Sequence, residues 1–310
     1  MDKMPEISIA LCTYNGQDFL PEQLDSILNQ SVTDWEIVVI DDCSTDQTWS
    51  ILEKYAAADT RFRLYRNDEN LGYNKNFEKA LMHCKADLIA ICDQDDIWHP
   101  DKLSTQIEAM EDHQLVYHDS EFIAHSGEKM HIRISDKFNF YRGNRPEPFI
   151  FLNCASGHSI MMRSEVVANA IPFPDNFHYD QWLAFVAASN GTIDYLKQPL
   201  VQYRQHRKNN TDMLALNSVA KSKQQKIAEM EREKEWLRLC LNKTHDKPNE
   251  LIAELYAACR RRNASLLSIS YAMIIWKNRD LLLYLLKKPE TSKFFFTLRK
   301  MWGIWAKKLI

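Results

Sequence analysis

The chain has 310 residues, 45% of them hydrophobic and 26% charged, with a formal net charge of -3. That length suits one sizeable α/β domain plus an accessory region, and the balanced charge gives no sign of a nucleic-acid partner. The seven cysteines are odd in number and include no Cys-x-x-Cys pair, which signals neither a zinc site nor a disulfide framework and fits a reducing cytoplasm. The N-terminus lacks an apolar signal region. The most apolar later stretch, 266–286, is interrupted by Lys277, Arg279 and Asp280, so neither export nor a membrane span is expected.

Ile7 to Leu11 is a short apolar run that reads as a first buried strand, with Cys12-Thr13-Tyr14-Asn15-Gly16 as its exit loop. Leu20, Leu24, Ile27 and Leu28 then fall at helical spacing. Glu36 to Ile40 is a second strand that ends in Asp41 and Asp42, after which Ser44 and Gln47 make a capping-box pattern for a helix carrying Ile51, Leu52 and Tyr55. Phe62 to Tyr65 is a third strand, followed by an Asn70–Asn74 loop and a helix with Phe77, Ala80, Leu81 and Cys84. A fourth strand, Leu88 to Cys92, runs into Asp93-Gln94-Asp95-Asp96, and Pro100-Asp101-Lys102 opens the next helical pattern.

Strand and helix alternating at this spacing predict parallel strands joined by right-handed crossovers, with their polar exits along one sheet edge, where such sheets bind ligands. Three exits carry polar clusters: Thr13-Tyr14-Asn15, Asp41-Asp42 and Asp93 to Asp96. Three carboxylates in four positions repel one another and cost free energy unless a cation, donors or water compensate. A divalent metal is the simplest compensation; turns and helix caps are the alternative that the cluster alone leaves open. Neither a Gly-x-Gly-x-x-Gly nor a Gly-Lys-Ser/Thr phosphate loop occurs.

The loop Thr13-Tyr14-Asn15-Gly16, the segment Ile40 to Asp46, the Asn70-Leu71-Gly72 loop and the Asp93-Gln94-Asp95-Asp96 motif resemble, in that order, glycosyltransferase family 2. They cover roughly the first third of the chain, and the combination is far more specific than any one motif. The resemblance implies a GT-A fold, a Rossmann-like mostly parallel sheet flanked by helices. It also implies a nucleotide-sugar donor, Mn2+ or Mg2+, and inversion at the anomeric carbon. By resemblance Thr13, Tyr14, Asn15 and Asp42 line the nucleotide pocket, Asp95 approaches the ribose or the metal, and Asp96 ligates the metal. Asp93 and Asp41 are secondary candidates.

In the second half, Cys154 to Arg163 resembles the acceptor-side strand of the family, with His158 bordering the acceptor region as a further secondary candidate. Asp180 stands at the start of a helical pattern carrying Leu183 and Val186. The resemblance makes it the catalytic base; a helix N-cap is the alternative, and the two readings are compatible. A short strand-like segment, Ile193 to Leu196, precedes Gln198 to His206. Asp180-Gln181-Trp182 and Tyr203-Arg204-Gln205-His206 are most similar to bacterial rhamnosyltransferases of cell-surface polysaccharide synthesis. On that reading Arg204 neutralises the diphosphate and His206 completes the metal shell or contacts the diphosphate; the alternative is that Tyr203 and Arg204 anchor a loop against the core.

From Leu216 the pattern is helical, with Leu216, Val219, Ile227, Met230, Leu237 and Leu241 at three-to-four spacing, and Leu251, Ile252, Leu255 and Cys259 after them. The expected organisation is a GT-A catalytic domain at 1–213, divided into a nucleotide-sugar half at 1–118 and an acceptor half at 119–213. A helical region at 214–310 packs on it or pairs subunits. In the tail, Lys287, Lys288, Lys293, Arg299, Lys300, Lys307 and Lys308 face the single acid Glu290 and are interleaved with Phe294, Phe295, Phe296, Trp302 and Trp305. Such a basic aromatic helix suits an anionic membrane surface, and the alternative is a helix docked on its own protein. The location expected is cytoplasmic, peripheral on the inner face of the membrane.

The expected function is thus inverting, metal-dependent transfer of a sugar, with dTDP-rhamnose favoured over a UDP-hexose. The expected acceptor is a hydroxyl of a cell-surface glycan or lipid-linked oligosaccharide. Two rivals stand beside it. A nucleotidyltransferase lacks its Gly-rich loop here, and a catalytically degenerate nucleotide-sugar binding or scaffold protein would not need the intact acids Asp42, Asp95, Asp96 and Asp180.

Overall fold

The computed structural model describes residues 4–206, 209, 221–244 and 249–309. The chain divides into two compact units, Met1–Arg145 with Asn153–His206, and Pro146–Leu152 with Arg207–Ile310.

The first unit opens with β1 (Ile7–Thr13), α1 (Leu20–Leu28), β2 (Trp35–Asp41), α2 (Thr48–Ala58), β3 (Phe62–Arg66), α3 (Tyr73–His83) and β4 (Leu88–Cys92). It continues with β5 (Ile97–Trp98), α4 (Lys102–Met110), β6 (Leu115–Ile123), β7 (Lys129–Arg133) and α5 (Ile134–Lys137). A single 3-10 turn at Gly157–Ser159 leads into β8 (Met161–Arg163), α6 (Ser164–Ala170), α7 (Tyr179–Asn190) and β9 (Ile193–Arg204). The sheet order is β3-β2-β1-β4-β8-β6-β9-β5, with β7 paired to β6. Strands β1, β2, β3, β4, β6 and β9 share one direction, and β5, β7 and β8 oppose it.

All seven residues of β1 and all seven of β2 are buried, as continuous apolar strands covered on both faces require. The chain steps outward from β1 to β2 to β3 and then crosses back to place β4 on the other side of β1. That reversal opens a crevice beyond the carboxyl ends of β1 and β4. The exits of β2, β1 and β4 are therefore neighbours, and Thr13 and Asp41 face each other at the last register position.

The four anticipated N-terminal strands are present, and several local expectations are corrected. The Ser44–Gln47 capping box does not form: α2 starts at Thr48, whose amide is held by Asp46 Oδ1 at 2.9 Å, while the Ser44 hydroxyl donates to Asp41 Oδ1 at 2.5 Å. The short strand-like segment expected at Ile193 to Leu196 is longer, because β9 continues to Arg204. It tolerates Pro199 at a register irregularity opposite Asp119, where no ladder N–H is needed. Strands β6 and β7 were not anticipated. Leu216 and Val219 lie outside the described residues.

The second unit contains a 3-10 turn at Glu147–Phe149 and helices α8 (Lys223–Lys243), α9 (Glu250–Asn263), α10 (Ile269–Lys277), α11 (Arg279–Leu282), α12 (Glu290–Arg299) and α13 (Ile304–Leu309). Its core gathers Phe149, Leu237, Cys240, Leu255, Cys259, Tyr271 and Ile275. Among the described residues, no helix is long and apolar enough to cross a membrane. The tail is not a free amphipathic helix: Ile304 and Ala306 are buried, the Ser268 amide donates to Met301 O at 2.8 Å, and Lys300 is ion-paired with Glu233.

Glu233 also accepts from Arg262 Nη1 at 3.0 Å and from the Tyr271 hydroxyl at 2.6 Å. Although its burial acts in the opposite direction, the charges of Lys300 and Arg262 bring its pKa down to about 2. A carboxylate depressed in the folded state contributes stability above its unfolded pKa and loses it as pH falls through the folded value. Replacement Glu233→Ala leaves the buried Arg262 and the partly buried Lys300 without their acid and is expected to cost about 3–5 kcal/mol in urea unfolding at neutral pH. The difference from wild type should shrink as pH is lowered from the usual glutamate range towards about 2.

Candidate active site

The three polar exits are knitted together mainly by backbone groups. Gln94, in the turn between β4 and β5, accepts from the Tyr14 amide at 2.8 Å and donates to the Tyr14 carbonyl at 3.1 Å, clamping the exits of β1 and β4. Asn15 sits at φ 47°; its amide donates to Ser44 Oγ at 2.9 Å and its side-chain oxygen accepts from the Thr45 amide at 2.8 Å. Thr13 Oγ1 donates to Asp41 Oδ1 at 3.0 Å, and Asp41 also holds the Ser44 amide at 3.0 Å and lies 3.3 Å from Arg66 Nε. Asp41 is fully buried and acts as the knot of the β1 and β2 exits.

Asp42 accepts from Asn67 Nδ2 and the Leu71 amide at 2.8 Å each, and from the Gly72 amide at 2.9 Å. Gly72 takes φ 80° just before α3, a left-handed conformation in which a side chain would be strained. Of the four residues that resemblance assigns to the nucleotide, Tyr14 is the exposed one, at 47%. Thr13 and Asp42 are buried and already bonded within the protein.

The acid turn divides into two groups. Asp95 Oδ2 and His206 Nε2 are 2.8 Å apart at the end of β9, and the His206 ring stacks on Phe19 at 5.0 Å. Beneath them, Asp93, Asp96 and His158 offer one ligand atom each within 4.8 Å of one another. His158 Nδ1 lies 3.7 Å from Asp96 Oδ2 and 3.8 Å from Asp93 Oδ2, and its other nitrogen meets Ser120 Oγ at 2.9 Å. Asp96 is fully buried. Its Oδ1 accepts from the Arg204 amide at 2.9 Å, whereas its Oδ2 has no hydrogen-bond partner. Burial pushes the Asp96 carboxyl well above the usual carboxylate range, and the charges of Asp95 and Asp93 push the same way.

An unpartnered buried carboxylate oxygen among carboxylates and imidazoles is a donor set that suits Mg2+ or Mn2+. The residues thus fit the divalent metal implied by the resemblance. They divide the three anticipated ligands, Asp95 with His206 on one side and Asp96 with Asp93 and His158 on the other.

Arg204 is nearly fully buried and its guanidinium is spent within the protein. It donates to the carbonyls of Asp95 at 2.9 Å and His125 at 3.0 Å, pairs with Glu22 and lies over the Phe19 ring. This is the anchoring alternative rather than a free phosphate clamp. Asp180 is the second residue of α7, since His178 occupies the N-cap position; its Oδ1 accepts the Gln181 amide at 2.7 Å, so it is not the cap. Burial raises its pKa, and the charge of Asp93 adds to the effect against His178 and His158. The start of α7 is held by residues the sequence did not single out. The Asn74 side chain donates to Phe177 O at 2.5 Å and accepts the Tyr179 amide at 3.0 Å, and Tyr73 OH meets His178 Nδ1 at 2.9 Å. Only their place in the Asn70–Asn74 loop hinted at it.

A sequence profile of the family described as Glycosyl transferase family 2 matches residues 8–169, just over half of the chain. The chain belongs to that family. Among family 2 relatives, the chain is 38% identical over 106 residues to Bacillus subtilis (strain 168) TuaG, provisionally named a teichuronic acid biosynthesis glycosyltransferase. That match covers 34% of this chain and 42% of TuaG, so the chain spans about two fifths of that relative's length. The fold is similar to the crystal structure of S. aureus TarS 1-349 in complex with UDP-GlcNAc, with a TM-score of 0.61, 18% identity, and 95% of this chain and 89% of that one covered. It is also similar to the mannosyltransferase PcManGT from Pyrobaculum calidifontis in complex with GDP-Man and Mn2+, with a TM-score of 0.52, 16% identity, and 99% and 87% covered. The family 2 chain thus has a GT-A-like α/β fold, as its sequence resemblance implies.

The burial of Arg204 separates two roles by measurement. Replacement Arg204→Ala strips partners from two backbone carbonyls and is expected to cost about 2–4 kcal/mol of stability in urea unfolding without any ligand. A residue that contacted only a leaving group would leave ligand-free stability unchanged.

Proposed function

We propose that the protein is an inverting glycosyltransferase that moves a sugar from a nucleoside diphosphate donor to a hydroxyl of a cell-surface glycan. The observation that carries the reading is the buried acid cluster at the strand exits, where Asp93, Asp96 and His158 converge and Asp96 Oδ2 has no hydrogen-bond partner. In this reading the donor lies beyond the exits of β1, β2 and β4. The exposed Tyr14 ring faces the base, while Thr13, Asn15 and Asp42 shape the pocket through the loops they fasten. The unpaired Asp96 Oδ2, with Asp93 and His158, would hold a divalent ion, and Asp95 with His206 would stand beside it. When bound, that ion supplies a Lewis acid for the departing diphosphate.

Asp180 takes the proton of the acceptor hydroxyl as the oxygen attacks the anomeric carbon from the face opposite the leaving group. The first turn of a rigid helix, pinned by Asn74 and Tyr73, keeps that carboxylate aimed. Arg204 acts as a positioning residue, because its amide and guanidinium hold the acid turn.

For the donor, similarity to rhamnosyltransferases favours dTDP-rhamnose. A UDP-hexose is the second reading, favoured by the fold shared with TarS bound to UDP-GlcNAc. A cell-surface polymer as acceptor is in keeping with the teichuronic acid role named for TuaG. A cytoplasmic enzyme held peripherally at the membrane would meet such an acceptor on its lipid carrier.

Thermal shift across a panel of nucleotide sugars with Mn2+ identifies the donor, since a ligand of the folded state raises the melting temperature by mass action. Replacement Asp180→Asn is expected to lower kcat about a hundred- to ten-thousand-fold while leaving donor affinity unchanged; full turnover in that variant would overturn the base assignment. A base must be ionised, so wild-type kcat should plateau at high pH and fall tenfold per pH unit below a pKa displaced above the usual aspartate range. Chelation should abolish transfer and added Mn2+ or Mg2+ should restore it, with Asp96→Asn and His158→Ala each requiring more metal for half-activity.

A further inference from the structure

The helical unit turns an apolar face outward. On α10, Ile269, Met273 and Lys277 recur every four residues and are all exposed, Met273 by 65%, while Tyr271, Ala272, Ile274 and Ile275 fill the opposite, buried face. On α12, Phe294, Phe295 and Leu298 are exposed, followed by Trp302 and Trp305. Trp276 meets Phe294 edge-on at 5.5 Å, so the two helices lie side by side. A cleft of about 640 Å³ runs along them, lined by Ile269, Met273, Trp276, Phe294, Leu298 and Met301. Arg261, Lys277 and Glu254 supply its charged lining. That volume falls within the roughly 300–1,000 Å³ of small-molecule sites.

An exposed apolar face of this kind marks an interaction site, and charge decides which. Residues 287–308 carry seven Lys and Arg against Glu290 alone, and Lys288, Arg299 and Lys308 are exposed. A second copy seated face to face would bring two such basic margins together. A surface of anionic phospholipid compensates the basic charge, and Trp and Phe beside Lys and Arg are the side chains that settle at the level of lipid headgroups.

We propose that the α10–α12 cleft takes a hydrocarbon chain of an anionic phospholipid, with the surrounding Lys and Arg side chains on the headgroups. The assignment rests on the membrane-attached reading and deepens it. The membrane-facing element is a composite of two packed helices and the turn after them, not a free terminal helix.

Flotation of the full chain with phosphatidylcholine vesicles, with and without phosphatidylglycerol, tests it. The wild type should float only with the anionic vesicles. Met273→Glu and Leu298→Glu, each at an exposed position, should abolish flotation while keeping the wild-type melting temperature and the release of nucleoside diphosphate as the sugar is transferred to a soluble acceptor. Lys307→Glu with Lys308→Glu should weaken binding at least about fivefold for each cation removed. Glu variants that float like the wild type would overturn the cleft and leave membrane attachment standing, whereas a wild type that floats with neither vesicle would overturn both. A Met273→Glu variant that converts a dimer to a monomer in sedimentation would assign the face to a second copy and overturn the lipid.

Discussion

One hydrogen bond, from the Arg204 amide to the buried carboxylate of Asp96, fastens the acid turn after β4 to the far strand β9. Three aspartates in four residues would spread apart in water, and the fold holds them by giving each a different environment. Asp95 faces His206, Asp93 borders His158, and Asp96 is taken out of solvent altogether. The Lys102 ammonium is also fully buried, against the Trp98 ring and Gln106 Oε1, and burial lowers its pKa to about 7.

The parallel half of the sheet was legible because its signal is local. Continuous apolar runs such as Ile37 to Ile40 have one stable use, a strand covered on both faces, and helices at regular intervals between them dictate the crossovers. The polar exits were legible for the same reason, since a strand of known direction places its last residue. Ser44 was misread because a capping pattern describes one turn of chain, and here the hydroxyl found a better acceptor in Asp41 across the strand end. Strands β6 and β7 went unread, and β8 and β9 were partly hidden, because short strands, Pro-containing ones and those interrupted by polar residues, as β6 is by His118-Asp119-Ser120, carry no clear alternation and their pairing spans many residues.

Roles within the site were less legible than its location. Nothing in Tyr203-Arg204-Gln205-His206 distinguishes an arginine that grips a diphosphate from one that bonds two carbonyls of its own protein; only burial does. The same holds for Asp42, whose carboxylate binds the Asn67–Gly72 loop, and for the tail, whose Lys and Trp pattern is shared by docked and membrane-bound helices. Family resemblance names positions, and hydrogen-bond accounting decides how many of their lone pairs remain for a ligand.

The short segment Pro146–Leu152 belongs to the helical unit although it is bracketed by strands of the first unit. Phe149 and Ile150 are buried there, Ile150 O accepts from Trp236 Nε1 at 2.9 Å, and Glu147 accepts from Asn249 at 3.1 Å. The two units are therefore interleaved along the polypeptide. On a ribosome the segment emerges well before α8 and α9 exist to cover it, and at roughly 5–20 residues per second its apolar side chains wait for seconds. A chain that stopped after β9 would leave Phe149 and Ile150 without the helices that bury them.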